Sequence, residues 1–149
     1  MVSRFEQFAS SITCIYRYIQ KIERTEMEKY GLKGPHAQCL LAMDRHPEGI
    51  TSARLCDVCD RDKAAISRMV AELEEKGMVR RSENGGVRYR AQLYLTELGK
   101  AAAEHVQRRA ELAVEEAGSG MTEQQRAAMY VALGLIAGNL QMICSEGLK

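Results

Sequence analysis

Residues 51–96 read TSARLCDVCDRDKAAISRMVAELEEKGMVRRSENGGVRYRAQLYLT, and the order of caps, stops and periodicities in that stretch decides the fold. Thr51 can accept a hydrogen bond from an otherwise orphaned amide of a short helix, whose Ala53, Leu55, Cys56 and Cys59 are expected to face inward. Asp62 is placed to cap a second helix. There Ile66, Met69, Val70 and Leu73 recur at helical spacing as a buried stripe, which leaves Lys63, Ala64, Ser67 and Arg68 on or beside the outer face. Gly77 follows as a helix stop, because it reaches the left-handed backbone region without a Cβ penalty. Residues 78–81 then read as a strand and Asn84-Gly85-Gly86 as a hairpin turn. The return strand puts Val87, Tyr89, Ala91, Leu93 and Leu95 on one face by its two-residue period, and Arg88, Arg90, Gln92 and Tyr94 on the other.

Helix, turn, helix and hairpin in that order predict a winged helix-turn-helix, in which one helix lies in the DNA major groove and the hairpin tip reaches the neighbouring backbone or minor groove. On this reading Thr51, Ser52, Lys63, Ala64, Ser67 and Arg68 are the helical contacts to double-stranded DNA, and Arg88 and Arg90 are the contacts from the wing. The net charge of the 149 residues is only +1, but its distribution is uneven. Residues 61–90 carry eight Lys/Arg against five Asp/Glu, whereas residues 91–149 carry five against seven. Positive charge therefore gathers on the proposed reading head, where phosphate neutralisation releases counterions and supplies affinity. An ordinary solvated face is the competing explanation.

The two ends of the chain have a different rhythm. Phe5, Phe8, Ile12, Ile15, Ile19 and Ile22 step by three and four, as do Met129, Leu133, Ile136, Leu140 and Ile143. Leu32-Lys33-Gly34-Pro35 ends the first helix and starts another, and Thr122-Glu123-Gln124-Gln125 has the form of a capping box after the break Gly118-Ser119-Gly120. A further helix is expected between Thr96 and Ala117, and Gly134, Ala137 and Gly138 would permit close backbone approach on the last one. The expected fold is mainly α with a small β-hairpin wing. Residues 1–31 form an N-terminal dimerisation helix, 32–96 the winged helix-turn-helix, and 97–149 C-terminal dimerisation helices. Apolar terminal stripes need a partner, and a second copy of the chain is the simplest one; packing within the monomer is the alternative.

With 46% hydrophobic and 28% charged residues the composition suits one compact unit. The N-terminus lacks a basic segment followed by an apolar stretch, and no apolar run of about 18 residues is evident, so a soluble cytoplasmic protein without a membrane partner is expected. No nucleophile with a base, carboxylate pair or phosphate-cradling loop is recognisable, which argues against an enzyme. His36, His46 and His105 are widely separated, so neither a metal nor a cofactor is expected. Cys56-Asp57-Val58-Cys59 is a lone CxxC without a second ligand pair, and its spacing on one helix face suits core packing. Cys39 and Cys144 sit among apolar neighbours.

Residues 32–100 resemble the MarR-type family of winged-helix regulators. The resemblance rests on Asp62-Lys63-Ala64-Ala65-Ile66-Ser67-Arg68, then the run from Leu73 to Arg81, then Leu93-Tyr94-Leu95-Thr96-Glu97-Leu98-Gly99. It implies a homodimer that binds a palindromic operator and represses transcription until a small ligand or an oxidant alters the spacing of its reading heads. It also implies a pocket for a small aromatic effector, for which Tyr16, Arg17, His36, Cys39 and Met43 are the wall residues. The family's wing commonly carries an Asp-x-Arg pattern. Val87 and Tyr89 stand there instead, so Arg88 or Arg90 is the substitute. Cys14, near Tyr16 and Tyr18, is similar to the reactive cysteine of thiol sensors in the family, though theirs lies about a turn earlier. Two alternatives to a ligand-responsive repressor follow: a thiol-based redox-sensing regulator, and a winged-helix protein-interaction module without specific DNA binding.

Overall fold

The computed structural model describes residues 1–82 and 91–148. In chain order the elements are α1 (Arg4–Glu28), α2 (Gly34–Asp44), β1 (Ile50–Thr51), α3 (Ser52–Cys59), α4 (Lys63–Glu75), β2 (Val79–Arg81), β3 (Gln92–Leu95), α5 (Glu97–Ala117) and α6 (Glu123–Glu146). The chain divides into two compact units, Met1–Glu111 and Leu112–Lys149.

Local chemistry explains where the helices of the first unit begin and end. Ser3 opens α1 with a reciprocal capping box, its Oγ accepting from Glu6 N at 3.0 Å while Glu6 Oε2 accepts from Ser3 N at 2.9 Å. The turn Tyr30-Gly31 closes that helix, and Pro35 occupies the first turn of α2, where its missing N–H has no intrahelical acceptor. Thr51 and Asp62 cap α3 and α4 as their positions predict. Met27, Leu40, Met43, Leu55, Ile66, Leu73 and Leu93 are the largest buried side chains, so α1, α2, α3, α4 and β3 all contribute to one core.

The sheet has three antiparallel strands in the order β1-β3-β2, one more than a simple hairpin wing. Ile50 pairs with Leu93 and Val79 with Leu95, so the alternation of β3 turns Leu93 and Leu95 inward. A two-residue strand has too few residues to show a period, which is why β1 escapes a reading of the sequence. Ala53 is a second correction: it is exposed. Residues two apart on a helix are rotated by roughly 200°, so Ala53 cannot share a face with the fully buried Leu55.

In the second unit, Thr122 and Gln125 form the expected capping box of α6. The Arg126 guanidinium folds over the preceding turn, within 3.4 Å of the Gly118 carbonyl. No residue of α6 is buried. Of the described helices, α6 is long and apolar enough to cross a membrane by length and composition, although Asn139 and Gln141 interrupt its apolar run. Gly134 and Gly138 have open space around them. The stripe on α1 is likewise uncovered, with Phe5, Phe8, Ile12, Ile15, Ile19 and Ile22 all exposed.

Candidate nucleic-acid interface

The helix-turn-helix is set by two caps and one left-handed residue. Thr51 Oγ1 accepts from Arg54 N at 3.2 Å at the start of α3. Asp60 ends that helix at φ 49°, a conformation that Asp tolerates better than most side chains, and Arg61 N returns to the Cys56 carbonyl at 3.1 Å. Asp62 Oδ1 then accepts from Ala65 N at 2.7 Å and starts α4. Ile66, Met69, Val70 and Leu73 are buried, so Lys63, Ala64, Ser67 and Arg68 are carried on the exposed side of α4. Ser52 is partly exposed at the first position of α3, beside the capping Thr51.

The base of the wing is held to the end of α4. Gly77 takes φ +73°, its carbonyl accepts from Thr96 Oγ1 at 2.6 Å, and the Met78 carbonyl accepts from Thr96 N at 2.9 Å. Thr96 Oγ1 in turn accepts from Gly99 N at 3.2 Å, capping α5. A Cβ on Gly99 would lie 2.1 Å from the Met78 oxygen, so the Leu-Thr-x-x-Gly run is a backbone clasp that admits no side chain at its last position. Arg88, Arg90 and the turn Asn84-Gly85-Gly86 lie outside the described residues. Reading the sequence missed Arg80, which is exposed on β2 with its guanidinium 4.4 Å above the Tyr94 ring in the register Arg80↔Tyr94. The alternation of Val79 and Arg80 was the available signal.

The sequence-derived effector residues occupy different surroundings. Tyr16 and Arg17 are exposed on α1, where Arg17 sits over the Tyr18 ring at 5.5 Å. His36, Cys39 and Met43 are buried in α2. His36 Nδ1 accepts from Lys33 N at 3.0 Å, and its Nε2 lies 2.6 Å from Glu72 Oε2 of α4 in an approach off-line for a hydrogen bond. A cavity of about 110 Å³ takes in Met43 alone of these five, with Asp44, His46, Arg80, Tyr94 and Lys100 among its other lining residues.

Sulfur collects where α2, α3 and α4 meet. Buried Cys39 approaches Met69 Sδ at 3.9 Å and lies within hydrogen-bonding reach of the Cys59 thiol, a contact between α2 and the last residue of α3. That shared bond, then burial, raises the Cys39 pKa far above the ordinary thiol range. The same bond lowers the pKa of Cys59, with Arg61 and Arg45 reinforcing it and burial opposing. Burial, then the Asp57 carboxylate, raise that of Cys56. Cys14 and Cys144 are exposed. Among the described residues no group of three or more His, Cys, Asp or Glu is arranged to hold a metal ion.

Residues 30–88 match the model of the MarR family. A MarR transcriptional regulator from Methanosarcina mazei has a similar structure, with 26% identity, a TM-score of 0.80, and coverage of 93% of this chain and 92% of that one. The structure of MarR is similar at 23% identity and TM-score 0.81, covering 98% and 99% of the two chains. A protein from Listeria monocytogenes, solved with a 26mer DNA, is similar at 21% identity and TM-score 0.77, covering 95% and 96%. No curated protein sequence matched significantly. The family match covers α2 through β2, and the fold is shared over nearly the whole chain with solved MarR-type regulators, so the chain has the MarR-type winged-helix fold.

Proposed function

We propose that this chain is a repressor that binds a palindromic operator as a homodimer and releases it in response to a small ligand. The outer face of α4 carries the reading: Lys63, Ala64, Ser67 and Arg68 are exposed beside a fully buried stripe, on a helix whose start is fixed by Asp62. Short side chains at Ala64 and Ser67 allow close approach to base edges, and Lys63 and Arg68 supply donors for phosphate or guanine. The family's structure with DNA from Listeria monocytogenes supports the same use of the fold. Arg88 and Arg90 are assigned to the backbone on sequence grounds, with Thr51 and Ser52 at the start of α3 as further contacts.

The homodimer is argued from uncovered apolar surface. Leu133, Leu135, Ile136, Leu140 and Ile143 on α6 and the Phe5–Ile22 stripe on α1 are exposed in the single chain. Exposed contiguous apolar surface of this kind is a feature of interfaces rather than of monomer faces, and a second copy places it out of water twice over. The same burial accounts for the hydropathy of α6 without a membrane. An aromatic effector remains part of the reading. Of its five wall residues Met43 lines the cavity, whose rim carries Arg80 and Lys100 together with Asp44 and His46.

Fluorescence anisotropy on the chain's own promoter fragment tests the function. Nanomolar binding that falls steeply with salt and saturates at two chains per site is expected. Binding no tighter than to unrelated DNA would return the chain to the class of protein-interaction modules.

A further inference from the structure

The cavity of about 110 Å³ lies where the loop after α2 meets β2, β3 and the first turns of α5, and its lining carries both signs of charge. Asp44 is the last residue of α2, where the free carbonyls of a helix end already concentrate negative charge and the last turn holds no basic residue. It has no ion-pair partner among the described residues. A carboxylate so placed costs stability in the free chain, and an ammonium group bound there recovers it. Arg80 and Lys100 line the same cavity and supply the opposite charge. We propose that the cavity binds a small zwitterion, a free α-amino acid of about the size of alanine, with its ammonium on Asp44 and His46 and its carboxylate on Arg80 and Lys100.

The polar groups are held in place before any ligand arrives. His46 Nδ1 donates to the Ala42 carbonyl at 2.8 Å, which leaves Nε2 of the neutral ring as an acceptor. The turn that carries His46 is closed by His46 N on the Met43 carbonyl at 3.0 Å and by Gly49 N on the His46 carbonyl at 2.9 Å. Gly49 takes φ +104°, and a Cβ there would lie 2.9 Å from Tyr94 Cζ, so its bare backbone backs directly onto that ring. The Arg80 guanidinium lies 4.4 Å over the same ring, and the cation–π contact orients it while its N–H edge keeps donors for a carboxylate. Lys100 is exposed and meets only the exposed Glu97, at 3.1 Å, a surface pair weak enough to exchange for a ligand. Met43 and Leu95 add apolar lining for a short side chain.

Size and charge together narrow the ligand. A cavity of about 150 Å³ takes benzene, so this smaller one suits a molecule of a few heavy atoms and leaves no room for an aromatic acid. A plain anion meets the uncompensated Asp44, and a plain cation meets Arg80 and Lys100; only a molecule with both charges satisfies both sides. None of the lining residues is among the DNA contacts assigned above, so binding here needs neither DNA nor a second copy of the chain.

The test titrates the full chain, without DNA, with L-alanine and follows the backbone amide resonances. Saturable shifts centred on residues 43–49, 80, 94 and 100 are expected, with a Kd on the order of 0.1–1 mM, well inside the ceiling for so small a ligand. Propionate, which lacks the ammonium, and ethylamine, which lacks the carboxylate, should each bind at least roughly tenfold more weakly, as the loss of one charged hydrogen-bonding group predicts. L-tryptophan should leave the spectrum unchanged. Asp44→Asn and Arg80→Ala should each weaken L-alanine by a similar factor, and the analogues on the parent chain decide the matter even if a variant misfolds. No shifts at millimolar L-alanine, or shifts centred outside the cavity, would overturn the assignment. So would propionate or ethylamine binding as tightly as L-alanine, L-tryptophan occupying the cavity, or folded variants of parent affinity. A failure of the chain to bind its promoter would sink the operator reading alone and leave this titration untouched.

Discussion

Glu26 Oε2 lies 2.7 Å from His105 Nε2, a link between α1 and α5 across 79 residues of sequence. The same buried carboxylate receives Lys29 Nζ at 2.7 Å and Arg109 Nε at 3.1 Å. Glu26 is thus the one carboxylate among the described residues that is almost fully buried, and the cations of Lys29 and Arg109 together with the His105 ring compensate it.

Those partners, Lys29 first and then His105 and Arg109, outweigh burial and hold the Glu26 pKa at about 2, below its ordinary 4.5. A depressed carboxylate pKa stabilises the fold above the ordinary value and loses that contribution as pH falls through the folded one. Glu26→Gln should therefore lower stability by about 1–3 kcal/mol near neutral pH. The gap between parent and variant should narrow between pH 4.5 and about 2. Urea unfolding at several pH values checks this, and a gap independent of pH would show that the charge is immaterial.

Gly99→Ala should destabilise by about 2–3 kcal/mol or more, because the new methyl meets the Met78 carbonyl oxygen at 2.1 Å and neither backbone can yield without opening the Thr96 clasp. Thermal melts are the measurement. Parent-like stability would mean that the wing base relaxes freely.

Arg68→Ala should weaken promoter binding by roughly 1–3 kcal/mol while the oligomeric state is unchanged, as expected for one lost contact to a base edge or phosphate. Anisotropy titration with light scattering on the same sample separates the two effects. Equal affinity would remove Arg68 from the interface.

Arg88→Ala combined with Arg90→Ala should lower affinity for all sequences and flatten the salt dependence by about one unit per lost phosphate contact. An unaltered slope would show that this wing does not touch the backbone.

Leu140→Glu should yield monomers or unfolded chains, since it places a charge on the apolar face of α6 where a second copy is proposed to sit. Sedimentation and circular dichroism decide it. A folded dimer after this change would locate the interface elsewhere.

Local signals were enough for much of this. Thr51, Asp62, Gly77 and Thr122 act through hydrogen bonds or backbone freedom within a few residues, so each marks its helix end in the sequence alone. Apolar periodicity likewise separated the buried stripe of α4 from its outer face, because a regular helix fixes which residues share a side. Tertiary structure decided the rest. The pairing of Ile50 with Leu93, the carboxylate of Glu26 between His105 and Arg109, and the approach of Cys39 to Cys59 all join residues far apart in the chain. No periodicity encodes such meetings. Cys56 and Cys59 look alike in a CxxC, and only the folding of α2 against α3 brings the Cys39 thiol to one of them and not the other.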